Sequence, residues 1–295
     1  MSQGQPLAGP SLSLSLSLAA AHPSRMATAF SLEDALRRLN AKDASLKHID
    51  LSGQNIGDEG ALALAGALDR GSFPTLQHIW LRANNIGEAG ATALAGALER
   101  GSFPALELIQ LDCNSIGDQG ATALAGAFER GLFPALRFIM LIWNSIRVEG
   151  AKALAAALQR GSFPVLQRID LNGNHIGVEG ARALAGALEH GSFPALELFG
   201  IAWSNIGVEG AKALTAALER GSFPKLQDIV ISGNNIQVKM RHEVTRGIAD
   251  MHSRIRLLAF LGAELDRSPV TAAKGFLWRD GDHAAMHRVL RFVKQ

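Results

Sequence analysis

A 30-residue repeat is the feature of this sequence that most limits its fold. The pattern LxxIxLxxNxI begins at Leu76, and the same pattern returns in phase from Leu106, Leu136 and Leu166, and from Leu226 with Ile231 in place of the second Leu. Copies that begin at Leu46 and Leu196 are imperfect, with Gln54 and Ser204 at the Asn position. One unit of this size cannot bury its apolar face alone, so the seven copies are predicted to stack on one another.

Each unit combines a short strand with a helix. Ile79 and Leu81 lie two residues apart and point to one side of an extended segment, while the alternate residues point to the other side. Residues 88–100 place Ala and Leu at helical spacing, and Gly101 ends that helix. Between strand and helix, Asn side chains can bond the backbone groups of the turn. Stacking predicts a buried asparagine ladder of Asn84, Asn114, Asn144, Asn174 and Asn234.

These copies resemble the leucine-rich-repeat family, and the long second half of each unit is similar to its ribonuclease-inhibitor-like branch. The resemblance covers residues 46–262. It implies an α/β solenoid that is curved, with parallel strands on the concave face and helices on the convex face. Similar repeats form the sensor portion of NOD-like receptors and build Ran GTPase-activating proteins.

The segments before and after the repeats are predicted to have different roles. Residues 1–30 contain no acidic residue and an alternating Ser/Leu run, which fits a disordered leader before a true start at Met26, a plastid or mitochondrial transit peptide, or a secretory signal. Residues 31–45 are predicted to form an N-terminal capping helix. Residues 263–295 are predicted to be a C-terminal cap or a tail that binds a partner. The expected location is cytoplasmic, with an organelle as the alternative if the leader is a transit peptide.

The composition argues against nucleic-acid or membrane binding, a disulfide and a metal site. A net charge of +2 gives no strong field for nucleic acid or a membrane surface. The single cysteine, Cys113, excludes an intramolecular disulfide and multi-cysteine zinc sites, and it is interpreted as structural. His48 and His78 lie at equivalent strand positions near Asp50, but further metal ligands are not evident, so two solvated histidines are expected. We predict no catalytic residue, no metal and no cofactor.

Copies of the repeat differ mainly on one surface. The helix-end pairs Glu99-Arg100 and Glu129-Arg130 are nearly repeated in the other copies, whereas the outward strand positions change freely. Because drift would scatter changes over both faces, this concentration favours a selected contact surface on the concave face. The predicted partner-binding residues are Trp80, Arg82, Leu108, Gln110, Asp112, Phe138, Met140, Ile142, Trp143, Arg168, Asp170, Asn172 and Trp203.

The apolar centre of that surface comes from the central copy, with Phe138, Met140, Ile142 and Trp143, and polar residues are expected to frame it as a rim. A monomeric protein-binding scaffold, for example in innate sensing or signalling, is therefore the leading hypothesis. The alternative is a GTPase activator that acts on a small GTPase, with Arg82 as its only roughly placed candidate. Inhibition of a nuclease ranks third because the face has few acids. A different interpretation is that the leader or the tail covers the patch.

Overall fold

The protein is described by a computed structural model that covers residues 28–69, 71–131 and 133–236. Within these residues, eight strands alternate with seven helices. In chain order they are β1 Thr28–Ala29, α1 Leu32–Asn40, β2 His48–Asp50, α2 Gly57–Asp69, β3 His78–Trp80, α3 Glu88–Arg100, β4 Leu108–Gln110, α4 Gly117–Arg130, β5 Phe138–Met140, α5 Val148–Arg160, β6 Arg168–Asp170, α6 Gly177–His190, β7 Leu198–Gly200, α7 Gly207–Arg220 and β8 Asp228–Val230. The predictions for the leader before Thr28 and for everything after Ile236 lie outside the described residues.

All eight strands form one open parallel sheet in chain order, which confirms the α/β leucine-rich-repeat solenoid. Neighbouring strands pair with an offset of 30 residues, so Ile79 lies beside Ile109. The two-residue β1 was not predicted, because it lacks the repeat pattern. It pairs with β2, where Thr28 lies beside His48.

The core lies between the sheet and the helix layer. Ile79, Ile109 and Ile139 point inward from the strands and are at most 4% exposed. Alanine and glycine let the helices approach closely: a Cβ built on Gly150 in α5 would lie 3.0 Å from the Cβ of Ala121 in α4. These small residues are the reason that successive helices pack tightly enough to follow the strands.

Helix α1 lies at the N-terminal end of the stack. The Ser31 hydroxyl accepts a hydrogen bond of 3.2 Å from the Asp34 N–H, as an N-cap does. In the last turn of the helix, Arg38 is buried and its Nε donates to Asp43 Oδ2 at 2.7 Å. Hydrogen bonds from Ser45 and Arg38 lower the pKa of Asp43 to about 2. The buried and hydrogen-bonded Arg38 therefore ends the apolar core at the N-terminal end of the stack.

The repeat helices begin in two different ways. Helix α4 begins at Gly117 with a left-handed φ of 62°. Helix α5 follows Arg147, whose φ of −107° is extended. The difference comes from Asp118 in the preceding helix, because its Oδ1 accepts hydrogen bonds from the N–H groups of Arg147 and Gly150 at 2.8 and 2.9 Å. An acid in one helix thus caps the next helix.

The same cap occurs once more in the described residues. Asp58 Oδ1 accepts from the N–H groups of Gly87 and Gly90 at 2.7 and 2.9 Å, and Gly87 is again extended. Where valine occupies the acid position, as at Val148 and Val178, the next helix begins with a left-handed glycine. The inter-repeat cap therefore explains why one copy can hold Arg147 where the copies with a left-handed start have glycine.

Removing the two caps should have unequal effects. We expect Asp58→Ala to lower the free energy of unfolding by about 1 kcal/mol, the value of one N-cap. Without its cap, α3 can adopt the left-handed start through Gly87. Asp118→Ala should cost about 2 kcal/mol or more, because Arg147 cannot adopt a positive φ without strain. Urea denaturation of the two variants measures the difference, and equal losses would contradict this explanation.

Candidate functional site

The outer face of the sheet, opposite the helices, contains the predicted concave-face residues. Strand pairing places Phe138 between Leu108 and Arg168 in one row, and Met140 between Gln110 and Asp170 in the next. The chain continues from Met140 through Leu141 to Ile142 and Trp143. Leu108, Phe138, Met140, Ile142 and Trp143, all of them partly exposed, are called the central patch below.

Other predicted apolar residues are separated from the central patch. Gln110 lies between Trp80 and Met140 in the strand register. Trp203 lies two copies further along and is 37% exposed. The structure therefore groups five of the predicted residues around β5 and leaves the other two tryptophans towards opposite ends of the sheet.

A positively charged group borders the central patch. The Arg137 guanidinium carbon lies 5.6 Å from the centroid of the Phe138 ring, within the range of a cation–π contact. Its nitrogens contact Gln167 Oε1 at 3.1 Å and Glu107 Oε2 at 3.4 Å. These contacts hold Arg137 in place beside the aromatic ring.

Three polar residues that were expected to form an exposed rim are buried. Asp112, Asp170 and Asn172 are 4%, 0% and 6% exposed. Asp112 Oδ1 accepts from the Ile142 N–H at 2.9 Å, and Asn172 Oδ1 accepts from the Ala202 N–H at 2.6 Å. Their expected exposure is therefore wrong.

The physical reason for this burial lies in the neighbouring strands. Gly200 leaves space on β7, and a Cβ built there would lie 2.7 Å from Asp170 Oδ1 and 3.0 Å from the Asn172 amide. Both side chains lean into that space. On the other side of β5, Asp112 bonds a backbone N–H of the next copy and accepts a second bond of 2.8 Å from the Gln110 amide. These residues support the turns after the strands.

Two of these buried residues are carboxylates, which makes the region around β5 electrostatically unusual. Burial raises the pKa of Asp112 to about 6, although the bonds from Gln110 and Ile142 oppose the shift. Burial also raises the pKa of Asp170, against the nearby Arg168 guanidinium, whose Nη2 lies 2.7 Å from Asp170 Oδ2. Perturbed carboxyl groups are enriched at functional sites, although structural networks perturb them as well.

The side chain of Trp143, in the central patch, packs against the next copy in a contact that was not predicted from the sequence. Trp143 has a left-handed φ of 54°, and its indole lies directly over Gly173 of the next copy. Trp203 has the same φ and lies over Gly233 in the same way. The signal was present in the sequence, because each Trp is followed 30 residues later by Gly.

The ladder asparagines lie in the turns after the strands and are buried. Asn174 is bonded at both ends of its amide: its Oδ1 accepts from the N–H groups of Asn144 and Ile146, both at 3.0 Å, and its Nδ2 donates to Leu141 O and Leu171 O at 2.9 Å. Asn114 makes the corresponding bonds to the copy that contains Asn84.

Other ladder positions are less complete. Asn144 Nδ2 donates to Leu111 O at 2.9 Å, but its Oδ1 is buried without a hydrogen-bond partner in the described part of the chain. Ser204 is buried and donates to Ala202 O at 3.0 Å. Gln54 is exposed at the N-terminal end, where its amide donates to Phe30 O at 2.6 Å. Asn234, by contrast, is bonded like Asn174: its Oδ1 accepts from the N–H groups of Ser204 and Ile206 at 2.8 and 3.3 Å, and its Nδ2 donates to Ile201 O and Ile231 O at 2.8 and 2.9 Å.

The histidines of β2 and β3 form an aromatic cluster instead of two solvated side chains. The rings of His48 and His78 stack with centroids 4.8 Å apart, and Trp80 lies 4.9 Å from His78. Because burial disfavours the charged ring, the pKa of His48 falls to about 4, and burial also lowers the pKa of His78. Within residues 28–236, apart from the two omitted positions, no three His, Cys, Asp or Glu side chains are grouped as a metal site.

The comparison with protein-family models agrees with the observed fold. A family model described as "Leucine Rich repeat" matches residues 42–65, 106–125 and 164–185. A comparison with curated proteins gave no significant match. One solved structure, titled "Leiomodin-1 Actin-Binding Site 2 (ABS2)", has 15% sequence identity and a TM-score of 0.39, and the alignment covers 65% of this chain and 90% of that chain.

The repeat matches and the solenoid together support a leucine-rich-repeat protein. Among the described helices, none is both long and apolar enough to cross a membrane.

Proposed function

We propose that this chain binds a protein partner through the outer face of its sheet, with the central patch as the core of the contact. The observation that carries the proposal is that Phe138, Met140 and Trp143 are adjacent, apolar and only partly buried. Aromatic residues and Met are enriched in the cores of protein interfaces. The partly exposed residues Arg82, Gln110 and Arg168 lie around this core and supply polar groups for a rim.

The contrast between the two faces of the solenoid supports this proposal. On the helix side, the repeated residues have a structural explanation, because Arg130 of α4 pairs with Glu99 of α3 at 2.6 Å and Arg160 of α5 pairs with Glu129 of α4 at 3.0 Å. Stacking therefore accounts for the constancy of the helix ends. It does not account for the placement of Phe138 and Met140, because neither is among the buried core residues.

The buried carboxylates take a different role from the one expected of a rim. Asp112 accepts the N–H of Ile142, so it fixes the backbone beneath the central patch. Asp170 holds the guanidinium of Arg168, which lies beside Phe138 in the same row. In the proposed site these acids support the contact surface and do not touch the partner.

In this proposal the protein is a non-catalytic, monomeric scaffold with repeats of the ribonuclease-inhibitor-like kind. It acts in the cytoplasm, for example in signalling. A GTPase activator is the competing function. Arg82 lies two residues after the end of β3 and is only partly buried. An activator predicts that Arg82→Ala abolishes stimulated GTP hydrolysis while binding is nearly kept, as for a residue used in the transition state. A scaffold predicts no stimulated hydrolysis with the wild type.

The affinity of matched alanine variants tests the binding proposal. A partner is first recovered by proximity labelling with the wild-type chain and then purified. We expect Phe138→Ala to weaken its binding about 30-fold, since a central anchor contributes about 2 kcal/mol or more. Leu62→Ala is the control, because Leu62 lies on the helix side and is 51% exposed.

Leu62→Ala should leave the affinity unchanged. If the Leu62 variant loses affinity and the Phe138 variant keeps it, the partner binds the helix side and the proposal is wrong.

A further inference from the structure

Arginine–carboxylate pairs connect the last turns of successive helices, with one gap. Each pair joins an arginine to the acid of the preceding copy: Arg100–Asp69 at 2.6 Å, Arg130–Glu99 at 2.6 Å, Arg160–Glu129 at 3.0 Å and Arg220–Glu189 at 3.3 Å. Between α5 and α6 the corresponding residues are Gln159 and His190. From α2 to α7, this junction alone has no such pair among the described residues.

The same junction lacks a further contact, a carboxylate cap, which two other junctions have. The helix before it carries Val148 at the position of the capping Asp118, so no carboxylate caps the start of α6. Apolar packing is what remains between these two helices.

The sheet side of this junction is fully bonded. The backbone N–H of Trp143 donates to the Asn172 carbonyl at 2.9 Å, and the backbone N–H of Leu141 donates to the Asp170 carbonyl at 3.0 Å. Asn174 adds its two hydrogen bonds from Asn144 and Ile146. The two layers therefore differ in how firmly they join these copies.

We propose that the solenoid bends at this junction, with β5 and β6 as the hinge and with α5 and α6 separating on the helix side. Such bending changes the angle between β5, which holds Phe138, and β6, which holds Arg168. It adjusts the shape of the outer face at the centre of the sheet. The inference concerns the free protein, so it stands whether or not the outer face binds a protein.

The expected size of the effect follows from the missing contacts. An exposed ion pair contributes little, so restoring one should shift the population of the bent form about three- to fivefold. Such a shift is too small to alter the fold but large enough to be measured as a distribution of distances.

Electron–electron resonance between pairs of spin labels tests the proposal in the full chain. Labels at Thr122→Cys and Lys212→Cys span three junctions that include α5–α6. Labels at Leu62→Cys and Lys152→Cys occupy the same positions of the repeat and span three junctions that do not. Cys113→Ala removes the native thiol, and alanine is suitable because Ala83 already occupies the equivalent left-handed position.

We expect the distances between labels 122 and 212 to be more broadly distributed than those between labels 62 and 152. Gln159→Glu with His190→Arg restores the pair, and it should reduce the population of displaced distances about three- to fivefold. Conversely, Glu129→Gln with Arg160→His should broaden the distribution of the 62–152 control pair. Equal widths in the parent protein, or no narrowing after restoration, would overturn the proposal.

Discussion

Asn174→Leu should cost about 3 to 5 kcal/mol of unfolding free energy, the largest loss that we expect from one substitution in this protein. The Asn174 side chain accepts the N–H groups of Asn144 and Ile146 and donates to two carbonyl groups, all in buried surroundings. Leucine is similar in size but bonds none of them. Each buried group left unpaired costs about 1 to 3 kcal/mol.

The matched control for this prediction is Asn144→Leu, the same change one copy earlier. Because Asn144 Oδ1 has no hydrogen-bond partner among the described residues, the change removes only the bonds of its Nδ2. We expect a smaller loss of about 1 to 2 kcal/mol. Denaturation curves of both variants compare the losses. If Asn174→Leu is no more harmful than Asn144→Leu, the bonding of the ladder does not determine its stability.

Gly173→Ala should cost about 2 to 4 kcal/mol, because it adds a methyl group where the Trp143 indole lies. A Cβ at this position would overlap the indole, so the ring has to leave its seat on the next copy. Gly173 also has a left-handed φ of 71°, which any L-residue adopts with some strain.

Gly53→Ala separates the two causes of that loss. Gly53 has the same left-handed conformation with a φ of 72°, but a Cβ there would meet nothing within 4 Å. We expect a loss of about 1 kcal/mol, close to the strain alone. Thermal unfolding measures both losses, and the fluorescence of Trp143 should change only in the Gly173 variant. Equal losses without a change in fluorescence would contradict the proposed seat of the indole.

The repeat made most of the fold predictable from the sequence. Seven copies of the repeat fix seven parallel strands, because inward residues such as Ile79 and Leu81 must all face one core. Strand β1 escaped this reasoning, since Thr28 and Ala29 form a strand only through the free edge of β2. The inter-repeat cap of Asp118 was also missed, because its partners are backbone N–H groups 29 and 32 residues away.

The outer face was harder to predict than the core. Alternation places Asp112, Asp170 and Phe138 on the same side of the sheet, but it does not show how far each side chain stands out from it. That depends on the neighbouring strand, where Gly200 leaves room for Asp170 to fold down against the sheet. The exposure of a polar residue in a repeat therefore has to be judged from the residue 30 positions later.

Photo-crosslinking from single positions tests the central claim of a partner on the outer face most directly. A photoreactive phenylalanine analogue would replace Phe138 in one variant and the exposed Leu62 of the helix side in another. Both variants would be irradiated with the partner under the same conditions. We predict a covalent complex from position 138 and none from position 62. Crosslinking from position 62 without crosslinking from position 138 would contradict the account.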